Sequence, residues 1–184
     1  MIVLGVLADT HVPDRARKLD PSVCEIFRES GVEAILHAGD VSIPMVLDEL
    51  ERIAPVTAVR GNRDWFRLRE LPKKCTLSFE GVQVGLSHGH GSLRAYLIDK
   101  LHYLAFGIQE ERYVRRMLGV FPTAQVIVFG HTHLRLNAWM DGKLLFNPGS
   151  VCCPQVNTMK PSMGLLRLHQ GRAEGEIVEL SAST

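Results

Sequence analysis

Five short polar clusters carry the residue types that a two-metal hydrolytic centre needs. They are Asp9-Thr10-His11, Gly39-Asp40, Gly61-Asn62-Arg63-Asp64, His88-Gly89-His90 and Gly130-His131-Thr132-His133. Their donors are carboxylates, imidazoles and one amide, with no thiolate. That set suits Mn, Fe, Ni, Co or Zn in a site with open coordination positions, and does not suit a closed structural zinc site. Asp9 and His11 are two residues apart, as are His131 and His133, so in extended chain each pair faces one side. Each pair can bind one ion or straddle two. Taken singly, these residues have ordinary explanations. An Asp after a strand, such as Asp40, is commonly a cap or turn former, and Asn62 after Gly61 a turn residue. The occurrence of all five clusters, each behind an apolar run, is what points to a metal pair.

The runs in front of the clusters are the elements that must position them. Ile2 to Ala8 is continuously apolar, rich in β-branched residues and too short for a helix, so it reads as a buried parallel strand. Asp20 and Pro21 start a helix that Gly31 ends. Ala34 to Ala38 is a second strand, Pro44 to Arg52 a helix with Ser42 as its cap, and Pro55 to Val59 a third strand. This β-α-β-α-β order predicts a parallel sheet with right-handed crossovers. Ligands bind such sheets at the C-terminal strand ends, where clusters distant in sequence can converge. The second half reads as hairpins: Cys75–Phe79 with Val82–Ser87, Leu134–Met140 with Lys143–Phe146 around Asp141-Gly142, and Gly164–His169 with Glu176–Leu180. Val126–Phe129 is a further buried strand. The fold class expected is α/β, with two packed mixed sheets flanked by helices. Residues 92–120 break the pattern. Leu93, Tyr96, Leu97, Leu101 and Leu104 recur at helical spacing, and a charged helix follows from Glu110. A helical pair packed on the sheet is the plain reading; a cap or homo-oligomer surface beside the site is the sharper one.

The bulk properties set bounds. A chain of 184 residues is expected to form a single domain, 1–184, with 92–120 as a helical insert. Apolar residues at 46% and a net charge of +1 point to a globular protein with no global pull toward nucleic acid or membrane. Cys24, Cys75, Cys152 and Cys153 have no CxxC spacing and read as buried reduced thiols. No leader pattern precedes Asp9 and no apolar run approaches the roughly 18 residues of a span, so a cytoplasmic location is expected.

The clusters resemble the calcineurin-like metallophosphoesterases, and among them the small single-domain prokaryotic phosphodiesterases. The family pattern D-x-H, G-D, G-N-x-D/E, H or G-H, and G-H-x-H appears in order, and Asn147-Pro148-Gly149-Ser150 is similar to a segment that follows in the small members. The resemblance implies that one ion takes Asp9, His11 and His133, the other Asn62, His88 and His131, with Asp40 bridging. It implies a bridging hydroxide as nucleophile and a four-layer α/β/β/α sandwich. Two divalent ions, Mn foremost, would lie about 3.5–4 Å apart and hold the attacking and phosphoryl oxygens of a phosphodiester, or of a monoester.

Larger members carry a histidine where this chain has Arg63. Arg cannot be a general acid near neutral pH but can clamp a phosphate oxygen; it can equally turn to solvent. His90 is the nearest substitute acid or phosphate contact. Asp64 reads as a carboxylate that orients a metal-binding imidazole, or as a turn former. His37 reads as a buried strand histidine or as the same kind of support. Two further functions compete. A eukaryotic retromer subunit resembles this pattern and is a scaffold, with part of the ligand set altered. A nuclease would need clustered cations, and Arg112, Arg115 and Arg116 are offset by Glu110 and Glu111.

Overall fold

The computed structural model describes residues 1–156 and 158–181. Its elements run β1 (Ile2–Leu7), α1 (Pro21–Glu29), β2 (Ala34–His37), α2 (Pro44–Glu51), β3 (Val56–Ala58), β4 (Lys74–Phe79), β5 (Val82–Ser87), α3 (Leu93–Phe106), α4 (Glu110–Val120), β6 (Val126–Val128), β7 (Arg135–Met140), β8 (Lys143–Pro148), β9 (Ser162–His169) and β10 (Arg172–Glu179). They build two mixed five-stranded sheets, ordered β10-β9-β1-β2-β3 and β4-β5-β6-β8-β7. β1, β2 and β3 are parallel, as are β5, β6 and β8. The antiparallel strands lie at the flanks.

Alternation within the strands explains the layers. Leu4, Val6 and Ala8 of the first strand and its extension face the second sheet, where they meet Val84, Leu86, Val126, Val128 and Phe146. Leu7 and Ile35 face the other way, onto Val23 and Phe27 of α1 and Val46 and Leu50 of α2. The outer face of the second sheet, at Ile127, Phe129 and Leu145, is covered by Tyr113, Val114 and Met117 of α4. Strands covered on both faces must be apolar at every position, which is why β1 and β6 have no polar alternation. Phe27 lies against Gly5, where any side chain would collide with its ring.

The helix ends follow local chemistry. Asp20 Oδ1 accepts from Ser22 N at 3.0 Å, and Pro21 takes the first turn of α1. Two details differ from expectation. Ser42 does not cap α2: the cap position is Ile43, without a side-chain bond. Ser42 N is instead committed to Asp64 Oδ1 at 2.8 Å. β10 also starts at Arg172 rather than Glu176, because β9 pairs with it from the Gln170-Gly171 turn onward.

α3 departs most. α4 packs on the sheet as expected, but α3 buries only Asp99. Its Leu93, Leu97, Leu101 and Leu104 stripe is exposed, Leu104 at 80%. Asp99 explains the orientation: a buried carboxylate must be paired. It accepts from Arg112 Nη2 at 3.1 Å and Arg116 Nη2 at 2.7 Å, both on α4. Two cations on α4 turn the Asp99 face of α3 inward, and the leucines are carried outward.

Candidate metal centre and active site

All six parallel strands end at one edge, and the polar clusters are the loops that leave it. The loops are stitched together by backbone bonds: Asp9 N to Gly39 O at 3.0 Å, His11 N to Asp40 O at 3.1 Å, and Gly130 N to His88 O at 3.2 Å. Positive φ marks this edge. Among the described residues, Asp9, His11, Asp40, Ser42, His131 and His133 all have left-handed backbone, and the remaining such non-glycine residues, Glu80, Asp141 and Gln170, sit in hairpin turns. Each such residue costs of order 1–3 kcal/mol and persists where the surroundings impose it. The strain concentrates on residues whose side chains must face one point. Gly61 and Gly130 let the loops meet, since a Cβ at Gly61 would run into the Asp40 carboxylate and one at Gly130 would sit 2.8 Å from Asp9 Oδ2.

The side chains converge as two groups. In the first, Asp9 Oδ1 lies 3.2 Å from His133 Nε2 and 3.6 Å from His11 Nε2. The two imidazole nitrogens are 3.2 Å apart. In the second, His88 Nε2 lies 3.1 Å from Asn62 Oδ1 and 3.3 Å from His131 Nδ1. Asp40 stands between them, with Oδ1 3.5 Å from His88 Nε2 and Oδ2 3.9 Å from His11 Nε2. Asp9 Oδ1 is buried without a hydrogen-bond donor. Second hydrogen bonds aim the rings: His88 Nδ1 donates to Ala38 O at 2.7 Å and His133 Nδ1 to Cys153 O at 2.5 Å. Each ring thereby turns its Nε2 lone pair into the site.

The electrostatics match a centre built for cations. Burial opposes charge on His88, but the Asp40 and Asp9 carboxylates outweigh it and raise its pKa to about 9. His133 is driven the same way, to about 11, chiefly by Asp9. Burial pushes His131 down to about 3, with the charge of His88 adding to it, and lowers His11. Asp9 and Asp40 stay below the usual carboxylate range because these imidazoles outweigh their burial. Two buried carboxylates thus draw positive charge into their surroundings. Among the described residues, two groups bring their ligand atoms within 4.8 Å of one another: Asp9, His11 and Asp40, and His11, His133 and Cys153. Oxygen and imidazole donors at this density fit divalent first-row ions.

A family model, the calcineurin-like phosphoesterase superfamily domain, matches residues 2–171. The chain belongs to that superfamily. It is 36% identical to a probable metallophosphoesterase of Methanothermobacter thermautotrophicus, over 98% of this chain and 94% of the relative. A phosphodiesterase of Methanocaldococcus jannaschii is 27% identical, over 89% of this chain and 91% of its own length. Among solved structures, Chaetomium thermophilum Vps29 has the same fold, with a TM-score of 0.73 at 16% identity over 97% of this chain and 95% of that one. The superfamily is one of metal-dependent phosphoesterases, and the fold is the two-sheet metallophosphoesterase sandwich.

The remaining expected site residues are distributed around this centre. Arg63 N donates to Asp40 Oδ1 at 2.8 Å, fixing that carboxylate through the backbone. Its exposed guanidinium lies at the wall of a cavity of about 550 Å³ over the centre, 3.7 Å from Asp14 Oδ2. Asp64 does not meet an imidazole, contrary to the expectation for a ligand-orienting carboxylate. It is fully buried and accepts from the backbone N–H groups of Asp40 (2.9 Å), Gly61 (2.7 Å) and Ser42 (2.8 Å). The carboxylate ties two site loops together and is out of reach of a substrate. His90 lies beside the ligand rings and is not among the residues that line this cavity. Its ring packs against His88 and His131 at 5.3 and 6.0 Å between centroids. Burial, with the charge on His88, pushes its pKa down to about 4, so the ring is a neutral imidazole near pH 7.

His37 is both buried and a support. Gly39 N donates to its Nδ1 at 3.2 Å, which leaves Nε2–H to donate to Thr10 Oγ1 at 3.2 Å. Other contributors had weak sequence signals or none. Asn147 Nδ2 donates to Gly130 O, and Ser150 Oγ to Asp9 O at 2.8 Å, so the Asn-Pro-Gly-Ser segment braces both halves of the site. Tyr96 and Tyr113, from α3 and α4, flank the His131 ring at 5.9 and 5.6 Å. They line the cavity with Arg15, Lys100, Tyr103 and Gln155. Arg116 Nη1 donates to Gly89 O at 2.9 Å and links the Asp99 cluster to the His88 loop. Three- and four-residue spacing marks these as helix residues but does not say which face meets a cavity.

Proposed function

We propose that the chain is a phosphodiesterase, with side activity on monoesters, acting through two divalent ions. Asp9, His11 and His133 would hold one ion and Asn62, His88 and His131 the other, with Asp40 between them. The observation that carries this reading is the reach of Asp40, one oxygen toward His88 and the other toward His11. When bound, such an ion pair supplies an acidified water as nucleophile and positive charge for the phosphoryl oxygens. Manganese is the first ion to test. Residues 1–184 act as one catalytic domain, with 92–120 as a cap whose Tyr96 and Tyr113 wall the cavity.

The protein's own residues position the ester. Arg63, at the cavity wall, exchanges Asp14 for a phosphoryl oxygen when substrate enters. Arg15 and Lys100 add positive charge along the same wall. Neither residue expected to assist the leaving group is a ready proton donor: Arg63 cannot lose a proton and His90 is held neutral. Diesters with leaving groups of low basicity are therefore the preferred substrates.

The test is reconstitution. Chelated protein is titrated with Mn²⁺ while metal content and hydrolysis of aryl diesters, aryl monoesters and cyclic nucleotides are followed. Two ions per chain with diester hydrolysis rising alongside is the expected result. A stoichiometry fixed at one ion in excess Mn²⁺ refutes the two-metal reading. A second reading, a metal-holding interaction protein, is favoured by one observation: the outward leucine stripe of α3, in a fold shared with Vps29. Metal-loaded protein without activity on any of these esters would select it.

A further inference from the structure

We propose that Cys152 and Cys153 form a reversible disulfide site that controls His133. Their Sγ atoms lie 2.8 Å apart, on adjacent residues. Both thiols are free and half-buried, unlike the enclosed Cys24. The pair is built into the site: Ser150 Oγ, which donates to Asp9 O, is 3.9 and 3.6 Å from the two sulfurs. Cys153 Sγ is also 3.7 Å from Arg15 Nη1 and 3.7 Å from His133 Nδ1. Cys152 opens on the other side, into a separate cavity of about 320 Å³ that Arg17, Lys18 and Pro161 help to line. An oxidant can therefore reach the pair without passing through the site, and two cations at the wall suit an anionic one.

The oxidant class is a low-molecular-weight disulfide carrying carboxylates, such as oxidised glutathione. One thiol of the pair loses its proton and attacks one sulfur of that disulfide. A mixed disulfide forms at that cysteine, and one small thiol leaves with the proton. The other cysteine then attacks the protein sulfur of the mixed disulfide, loses its own proton and expels the second small thiol. The protein gives up two electrons and two protons, and the oxidant takes up both. Adjacent cysteines close a small, strained ring, and strained disulfides are the labile, reversible ones.

The consequence falls on His133. Its Nδ1 donates to the Cys153 carbonyl, and that bond selects the tautomer and turns Nε2 toward Asp9. Closing the ring rotates the backbone on both sides of the Cys152–Cys153 peptide and carries this carbonyl off the Nδ1–H. Loss of such a partner typically costs 10–100-fold in metal affinity. This part rests on His133 being a ligand, as proposed above; formation of the disulfide does not.

The experiment uses the full chain, metal-free and Mn²⁺-loaded, in graded mixtures of reduced and oxidised glutathione. After alkylation, peptide masses report on residues 152–153, and Mn²⁺ affinity is measured by competition with a chelator. Expected is the loss of two hydrogens within that peptide, reversed by dithiothreitol, in wild type and in a Cys24→Ser/Cys75→Ser control. Cys152→Ser should leave no internal disulfide. Oxidised wild type should bind Mn²⁺ 10–100-fold more weakly and recover on reduction. Free thiols or stable glutathione adducts at the oxidising limit overturn the site. A disulfide that leaves Mn²⁺ affinity unchanged overturns its control of His133. Reduced protein that binds no Mn²⁺ overturns the metal reading, and control of His133 with it, while the mass readout still judges the disulfide.

Discussion

Replacing Asp64 with alanine tests the reassigned role of that carboxylate. The side chain is fully buried and takes three backbone N–H donors, from Asp40, Gly61 and Ser42. Alanine leaves all three without an acceptor. A buried donor stripped of its partner costs about 1–3 kcal/mol, so the sum is roughly 3–9 kcal/mol. Water entering the vacated space recovers part of that, and the net expectation is about 3–5 kcal/mol. In a chain of this size each kcal/mol moves Tm by roughly 2–4 °C, which gives a fall of roughly 6–20 °C. Asp64→Asn should not rescue it, because the amide presents N–H to N–H at one of the two oxygen positions. The assay is urea and thermal unfolding of metal-free protein, so that lost metal cannot imitate lost hydrogen bonds. A change under about 1 kcal/mol in metal-free Asp64→Ala, with activity nevertheless lost, would refute the loop-tying role.

Four further outcomes are expected. His88 and His133 have folded pKa values raised to about 9 and about 11; in metal-free protein their contribution to stability is complete below about 6.5, the unfolded value, and is lost as pH rises through those folded values. The same protons compete with cations, so Mn²⁺ affinity should climb steeply from pH 6.5 to 8.5, by up to about a hundredfold per unit if two protons leave; chelator competition that finds a flat profile contradicts the ligand assignment. Arg63→Ala should leave metal content unchanged and lower kcat/KM by roughly 2–4 kcal/mol of transition-state stabilisation if the guanidinium holds a phosphoryl oxygen; steady-state kinetics equal to wild type would mean that it faces solvent throughout. Asp99→Ala strands Arg112 and Arg116 and unties α3 from α4, so limited proteolysis should cut within 93–106 well before wild type; equal digestion rates would show that α3 is held by other contacts.

The parallel strands, the loops behind them and the polar residues those loops carry were legible in the chain alone. These are local matters. An apolar run buried on both faces announces itself without reference to the rest of the chain, and Asp20-Pro21 or Asp141-Gly142 carries its geometry within a few residues. The common edge followed too, because parallel strands end on the same side. Tertiary structure alone decided what each polar residue touches. Asp64 and His90 sit in motifs like the metal-facing residues do, yet one is spent on backbone amides and the other on packing rings. Nothing in the spacing of α3 says that Asp99 will be drawn inward and the leucines left outside; two arginines on the next helix decide that. Cys153 lies twenty residues beyond His133, and their hydrogen bond exists because the chain returns to the same edge after β8. Partners of this kind depend on where distant segments come to rest, which periodicity and turn chemistry do not encode.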